Sequence, residues 1–238
     1  MDKVSKKDLF SSRRSFLAVP PALFLVGCDL ATGKKTKSAL LGFQKFNDWI
    51  QSLVFDPKKL APEYSDEEVT PQEDFRVNGY DTDRPDIDIP NWTLIVDGLV
   101  SKPGDYNLQQ VSKLPKYVKN LRHCCVEGWS MIPTWGGVLM KDFLEMVGAD
   151  PKAKYISVEC GDDYTTCWDM PSAMHPQTLL AYEAYGKPLE LEHGAPLRVV
   201  MPVKLAYKSA KWISRITVTN EKPGGYWEDQ GYDWFAGL

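Results

Sequence analysis

Apolar and polar positions are weakly ordered over the first third of the chain and sharply ordered after it. Residues 16–27 form a short apolar run broken by Pro20 and Pro21, behind a basic start at Lys3, Lys6, Lys7, Arg13 and Arg14. Residues 31–88 are polar and rich in Lys, Asp and Glu. Within them 43–53 predicts one short helix, and the Asp/Pro alternation over 82–90 predicts a loop. From Trp92 the pattern sharpens. Residues 92–98 predict a strand, closed by a turn at Ser101-Lys-Pro-Gly. Asn107 caps a short helix, with Gln110 three residues on and Leu108, Val111 and Leu114 on one face. Residues 117–126 are strand-like, and 138–147 have helical spacing that stops at Gly148. Residues 155–159 and 164–168 flank a hairpin turn at Gly161-Asp-Asp. Residues 177–185 predict a short helix and 196–201 a strand. Trp212, Ser214, Ile216 and Val218 alternate as a half-buried strand. Short strands and short helices without a regular βαβ rhythm predict an α+β fold with mixed β-sheets.

Composition narrows the class. The chain has 238 residues, 43% hydrophobic and 25% charged, which suits one large domain or two small ones and not a mostly disordered chain. No apolar run reaches the roughly 20 residues of a spanning helix. A net charge of −4 argues against a nucleic-acid partner, and five cysteines are too few for a disulfide scaffold. Ser12-Arg13-Arg14-Ser15-Phe16-Leu17 resembles a twin-arginine export signal, and Leu25-Val26-Gly27-Cys28 resembles a lipobox whose Cys takes a lipid. Residues 1–27 are therefore expected to be a signal, 28–69 a polar N-terminal arm or tether, and 70–238 the globular domain. The expected location is the periplasmic side of the inner membrane, with a lipid anchor at Cys28 and Asp29 favouring that membrane. Twin-arginine export carries folded proteins, which suits an enzyme loaded with a cofactor beforehand.

Candidate chemistry is densest at Arg122-His123-Cys124-Cys125-Val126-Glu127-Gly128-Trp129. In extended backbone Cys125 and Glu127 share one face and Cys124 and Val126 the other. A thiolate beside a carboxylate reads as a soft-metal ligand with a proton handler, or as a buried free cysteine beside a surface acid. Three histidines and no Cys-x-x-Cys give little support to a closed zinc site. With a two-residue turn at Asp162-Asp163, Cys160 would face Thr165 and Cys167 would face Val158. The two would then be diagonal at about 7–8 Å, too far to bridge, so both are expected free. Arg198, in an otherwise apolar strand, together with Ser209 and Lys211, suits a phosphate monoester, or else a solvated basic face.

Cys125-Val-Glu-Gly-Trp-Ser, Met174-His-Pro-Gln-Thr-Leu, Gly194-Ala-Pro-Leu-Arg, Tyr207-Lys-Ser-Ala-Lys-Trp and Trp227-Glu-Asp-Gln-Gly-Tyr stand in this order. Over about residues 70–232 the chain thereby resembles the molybdopterin-binding oxidoreductase domain of the sulfite oxidase superfamily, and within it the protein-methionine-sulfoxide reductase catalytic subunits. The resemblance implies molybdenum with a single pyranopterin (molybdopterin), ligated by Cys125. It implies that Arg198 and Ser209-Ala210-Lys211 hold the pterin phosphate. Cys160 and His193 fall at positions of cofactor contact, Phe75 and Arg76 fall near an N-terminal cofactor-contacting segment, and Glu127 is the candidate for proton transfer in the pocket. Asn78 stands where sulfite oxidases carry an arginine that helps to bind sulfite, and a dimer of the type their second domain builds is not expected. The implied activity is oxygen-atom transfer on a small substrate. The rivals are sulfite oxidation and a cofactor-less lipoprotein binding module. Without haem or iron–sulfur motifs, electrons are expected to come from a membrane-bound b-type cytochrome or quinone-linked subunit, with this chain a monomer within a heteromeric complex.

Overall fold

The computed structural model describes residues 34–80 and 84–238. The expected export signal and Cys28 lie outside these residues. The chain divides into two units, 1–47 and 48–238. Helix α1 (Lys34–Val54) contributes the described part of the first and opens the second, and is longer than its apolar spacing predicts.

The larger unit carries β1 (Thr93–Gly98), β2 (Gly104–Asn107), α2 (Leu108–Val111), β3 (Lys116–Asn120), β4 (His123–Cys124), β5 (Ser130–Met131), β6 (Thr134–Leu139) and α3 (Met140–Met146). It continues with β7 (Tyr155–Cys160), β8 (Thr165–Asp169), α4 (Met170–Ala173), β9 (Leu179–Ala184), β10 (Lys187–Pro188), β11 (Arg198–Val200), β12 (Ile213–Thr219) and α5 (Tyr226–Asp229). One sheet runs β2-β1-β12-β7-β8, with β1 and β12 parallel. The other runs β10-β9-β6-β3, with β11 also on β9, and β4-β5 forms a short ribbon. This is the expected α+β architecture. Asn107 caps α2 as predicted: its side chain accepts from the Gln110 N–H at 2.9 Å, and the Gln110 side chain returns the bond.

The main core fills the space between the sheets and α3. Leu94, Val96, Ile156, Val158, Ile216 and Val218 meet Phe143, Leu144, Val138 and Leu180 there. Each such burial is worth about 1.5–3 kcal/mol. Leu121, Trp135, Leu139, Leu179 and Val200 form a second cluster. Alternate residues of β6 and β9 thus enter different clusters, so both faces of that sheet are covered. Double coverage explains the main misreading. A strand buried on both sides shows a continuous apolar run, not alternation. The helix predicted over 177–185 is therefore β9, held between β6 and β11.

Other boundaries move for local reasons. The strand predicted over 117–126 is divided into β3 and β4, because β3 pairs with β6 while β4 pairs with β5. Pro133 sits between those partners, where it has no N–H to donate, and its carbonyl takes the Leu121 N–H at 3.3 Å. The helix predicted over 138–147 begins at Met140, since Val138 and Leu139 finish β6. In the 155–169 hairpin the turn is one residue longer than predicted. The Cys160 N–H donates to Tyr164 O, and Asp163 takes φ 64. Cys167 therefore opposes Ser157 and not Val158. That register puts Cys160 and Cys167 on opposite faces, and both are free. The half-buried strand expected from Trp212 is β12; a bulge between Ile213 and Arg215 shifts its alternation, so Ile213, Ile216 and Val218 are the buried residues.

Residues 48–69, within the stretch expected to be a polar arm or tether, pack in the larger unit. Glu63 bridges Leu121, the Tyr64 N–H donates to Asn120 O at 3.2 Å, and the Gln177 side chain holds both peptide groups of Ala61. Among the described residues no helix is long and apolar enough to cross a membrane.

Candidate active site

Separate stretches of chain converge on one cleft, with about 940 Å³ of empty space including its mouth. Cys125 enters from the end of β4 and is 8% exposed. Directly after it the backbone turns: Gly128 takes φ 88 and donates to Cys125 O at 3.2 Å, while the Cys125 N–H donates to Trp129 O at 2.9 Å. This turn, and not strand alternation, carries Glu127 back to Cys125. Its Oε2 lies 3.7 Å from Sγ and accepts the Trp129 indole N–H at 2.9 Å. Burial pushes the Cys125 thiol above its ordinary pKa. Cys124 faces away, into a second and more apolar cleft with Arg122, Tyr64, Val203 and Phe235.

Residues 75–80 cross the mouth as a clamped loop. At one end the Phe75 ring stacks on His193 with centroids 3.7 Å apart and meets Trp135 and Tyr185 edge-on. At the other end the Tyr80 hydroxyl donates to Asp162 O, and its ring touches Tyr164 and Tyr226. Between these anchors Arg76 lies over the Trp129 ring at 5.3 Å, and the Asn78 amide donates to Cys125 Sγ at 3.4 Å.

The floor is cationic. Arg198, on β11, is 4% exposed and lies over the face of Trp135 at 4.8 Å. Its Nη1 donates to His193 O at 2.8 Å and its Nη2 to Ser209 O at 3.4 Å, while its buried Nε has no partner. Lys211 donates to Glu192 O at 3.1 Å and lies 4.0 Å over Trp212. Neither cation forms an ion pair among the described residues. Burial lowers Arg198 to about 9 and, with help from Arg198, Lys211 to about 7. The neighbouring histidines are kept neutral. Burial and then the two cations bring His123 to about 3 and His193 to about 4. Gly194, at φ 104, lets the backbone pass between the cations; a Cβ there would stand 3.0 Å from the Lys211 Cβ and 3.1 Å from the Arg198 Cβ. A buried guanidinium with an orphaned N–H beside a half-buried ammonium, neither in an ion pair among the described residues, makes a site that an anion such as a phosphate would complete.

Of the residues predicted from sequence, Arg76, Cys125, Glu127, His193, Arg198, Ser209, Ala210 and Lys211 line this one cleft. Phe75 and Cys160 do not. Phe75 stands behind His193 as its stacking partner. Cys160 is 5% exposed in the core beneath the hairpin, and burial pushes its thiol well above the ordinary pKa. Trp135, which supports the guanidinium, and His123 were not predicted as site residues. A Trp at the start of a fully buried strand carries no sequence mark that separates it from core.

A thiol and an anion cradle that open into one cleft of a mixed-sheet domain define a cofactor-binding protein. The chain belongs to the oxidoreductase molybdopterin binding domain family, which matches residues 81–227. It is therefore an oxidoreductase with a sulfite-oxidase-type molybdopterin fold. It is 42% identical, over 95% of its length and 88% of the relative's, to a candidate protein-methionine-sulfoxide reductase subunit, YedZ1, of Azospira oryzae. It is 30% identical, over 94% of its length and 76% of the relative's, to the protein-methionine-sulfoxide reductase catalytic subunit MsrP of Pseudomonas syringae. Among solved structures, the sulfane dehydrogenase SoxCD of Paracoccus pantotrophus shares the fold. Its TM-score is 0.53 at 21% identity, covering 57% of this chain and 40% of that one.

Proposed function

We propose that the protein is an exported reductase that removes oxygen from a sulfoxide, using molybdenum held by a single pyranopterin and by the Cys125 sulfur. The observation that carries this reading is the unpartnered Arg198 Nε beside Lys211, in the cleft that also contains Cys125. Arg198, Lys211, the Ser209 hydroxyl and the Ala210 segment would hold the pterin phosphate, while His193, stacked on Phe75, forms a neutral wall. When bound, the group supplies two-electron oxygen-atom transfer. The protein's residues do the rest. Cys125 gives a soft ligand, and Arg76 and the aromatic rim of Tyr80, Tyr164 and Trp227 shape the mouth. Glu127, 3.7 Å from Sγ, carries protons from solvent. The balance is sulfoxide plus two electrons and two protons to sulfide and water. Names of relatives at 42% and 30% identity support a sulfoxide over sulfite, and Asn78 in place of an anion-binding arginine supports it too.

The electrons come from a membrane-bound b-type cytochrome or quinone-linked subunit, with the chain lipid-anchored at Cys28 after twin-arginine export. Two acyl chains hold a protein stably at a membrane. The direct test is purified protein matured in a cofactor-competent host and given a reduced dye with sulfoxides, N-oxides and, in the oxidative direction, sulfite. Turnover of methionine sulfoxide well above sulfite oxidation is expected. Sulfite oxidation as the faster reaction, or protein without molybdenum, overturns the proposal. Wild type should sediment with membranes and Cys28→Ser should not; equal sedimentation rejects the anchor.

A further inference from the structure

The loop over residues 75–80 lies just before the span that the family matches, residues 81–227, yet it supplies a contact to the sulfur at the centre of the cleft. The Asn78 Nδ2 donates to Cys125 Sγ at 3.4 Å, while Glu127 Oε2 stands 3.7 Å from the same atom. The sulfur is therefore held between a donor and an acceptor. The donor is fixed in place by its loop, since Phe75 is gripped by His193, Trp135 and Tyr185, and Tyr80 by Asp162, Tyr164 and Tyr226. Two residues separate Asn78 from Phe75 and one separates it from Tyr80, so the amide has little freedom to swing away.

We infer that Asn78 is a positioning residue for the metal-ligating sulfur: its amide donates a hydrogen bond to the Cys125 thiolate, orients it and withdraws electron density from the sulfur–metal bond. This rests on the proposed cofactor. An N–H pointed at a coordinating thiolate reduces the charge the sulfur gives to the metal and so favours the reduced metal. Such supporting contacts tune ligands throughout metalloprotein chemistry, and losing one typically costs 10–100-fold in metal affinity or activity. Asn suits the position chemically. Its amide donates without adding a charge beside the thiolate, whereas Asp would place a second anion there.

The experiment compares holoenzymes of wild type, Asn78→Leu and Asn78→Gln by metal content, by electron paramagnetic resonance of the singly reduced metal, and by redox titration. Leu has nearly the size of Asn and no donor. It is expected to lower the one-electron potential by about 59 mV, the equivalent of a tenfold change in the equilibrium, and to shift the g-values. Gln keeps the donor and should recover at least half of both effects. Metal loss from Leu but not from Gln is the other expected sign. Leu indistinguishable from wild type in signal and potential overturns the inference, as does equal loss of metal from both variants. Wild type without metal would fail the functional proposal itself, so the two failures are distinguishable.

Discussion

Arg198→Met should make the cofactor-free protein no less stable while removing its capacity to hold the cofactor. Burial lowers the guanidinium from 12.5 to about 9. At about 1.4 kcal/mol per pH unit, the charged form costs the fold about 5 kcal/mol. The bonds to His193 O and Ser209 O and the face of Trp135 offset about 3 kcal/mol of this. About 2 kcal/mol then waits for an anion. The sign is that of a base with a depressed pKa. The penalty is fully present below pH 9 and is relieved only as pH rises toward 12.5, so at neutral pH all of it applies. Met fills most of the same volume without charge. Thermal unfolding of both proteins, made in a host without the cofactor, should place the variant between equal to wild type and about 4–8 °C higher, at roughly 2–4 °C per kcal/mol. The same variant from a cofactor-competent host should contain little metal. A cofactor-free variant destabilised by more than about 3 kcal/mol would refute the uncompensated charge. Full metal occupancy would refute the phosphate anchor.

Gly194→Ala introduces a Cβ at φ 104 between Lys211 and Arg198; the backbone strain costs about 1–2 kcal/mol, and metal content should fall further than the loss of stability explains. Lys211, lowered to about 7 by burial, binds fewer protons folded than unfolded between about pH 7 and 10.5. The stability of the cofactor-free protein should therefore rise with pH over that window, and Lys211→Met should flatten the rise. Lys204, likewise lowered to about 7 by burial, contributes the same sign, so chemical denaturation of Lys211→Met and Lys204→Met at several pH values separates the two; no change in slope for either would reject the assignment.

The residues that line the cleft were more legible in the sequence than the elements that carry them. Arg198 could be singled out because a guanidinium in an apolar strand needs a partner, and the structure gives it two carbonyls and no acid. Cys125 and Glu127 were paired correctly for the wrong reason, since the contact comes from the Gly128 turn and not from strand alternation. The helix misread at β9 shows the limit of periodicity. Leu179 and Leu180 enter different clusters, and a run covered on both faces has no period to read. Asn78 was noticed only as a departure from sulfite oxidases. Its contact with Cys125 depends on two aromatic clamps formed with residues more than fifty positions away along the chain, which no local pattern records.

The central claim is that Cys125, and not its neighbour, binds molybdenum. Elemental analysis of wild type, Cys125→Ser and Cys124→Ser, all matured in the same cofactor-competent host, tests it most directly. A neutral hydroxyl is a far poorer soft-metal ligand than a thiolate, and Cys124 opens into the opposite cleft. Near-stoichiometric molybdenum is expected in wild type and Cys124→Ser, with a dithiolene-type visible spectrum that is altered or lost in Cys125→Ser together with all turnover. A Cys125→Ser protein with wild-type metal, spectrum and activity would contradict the account.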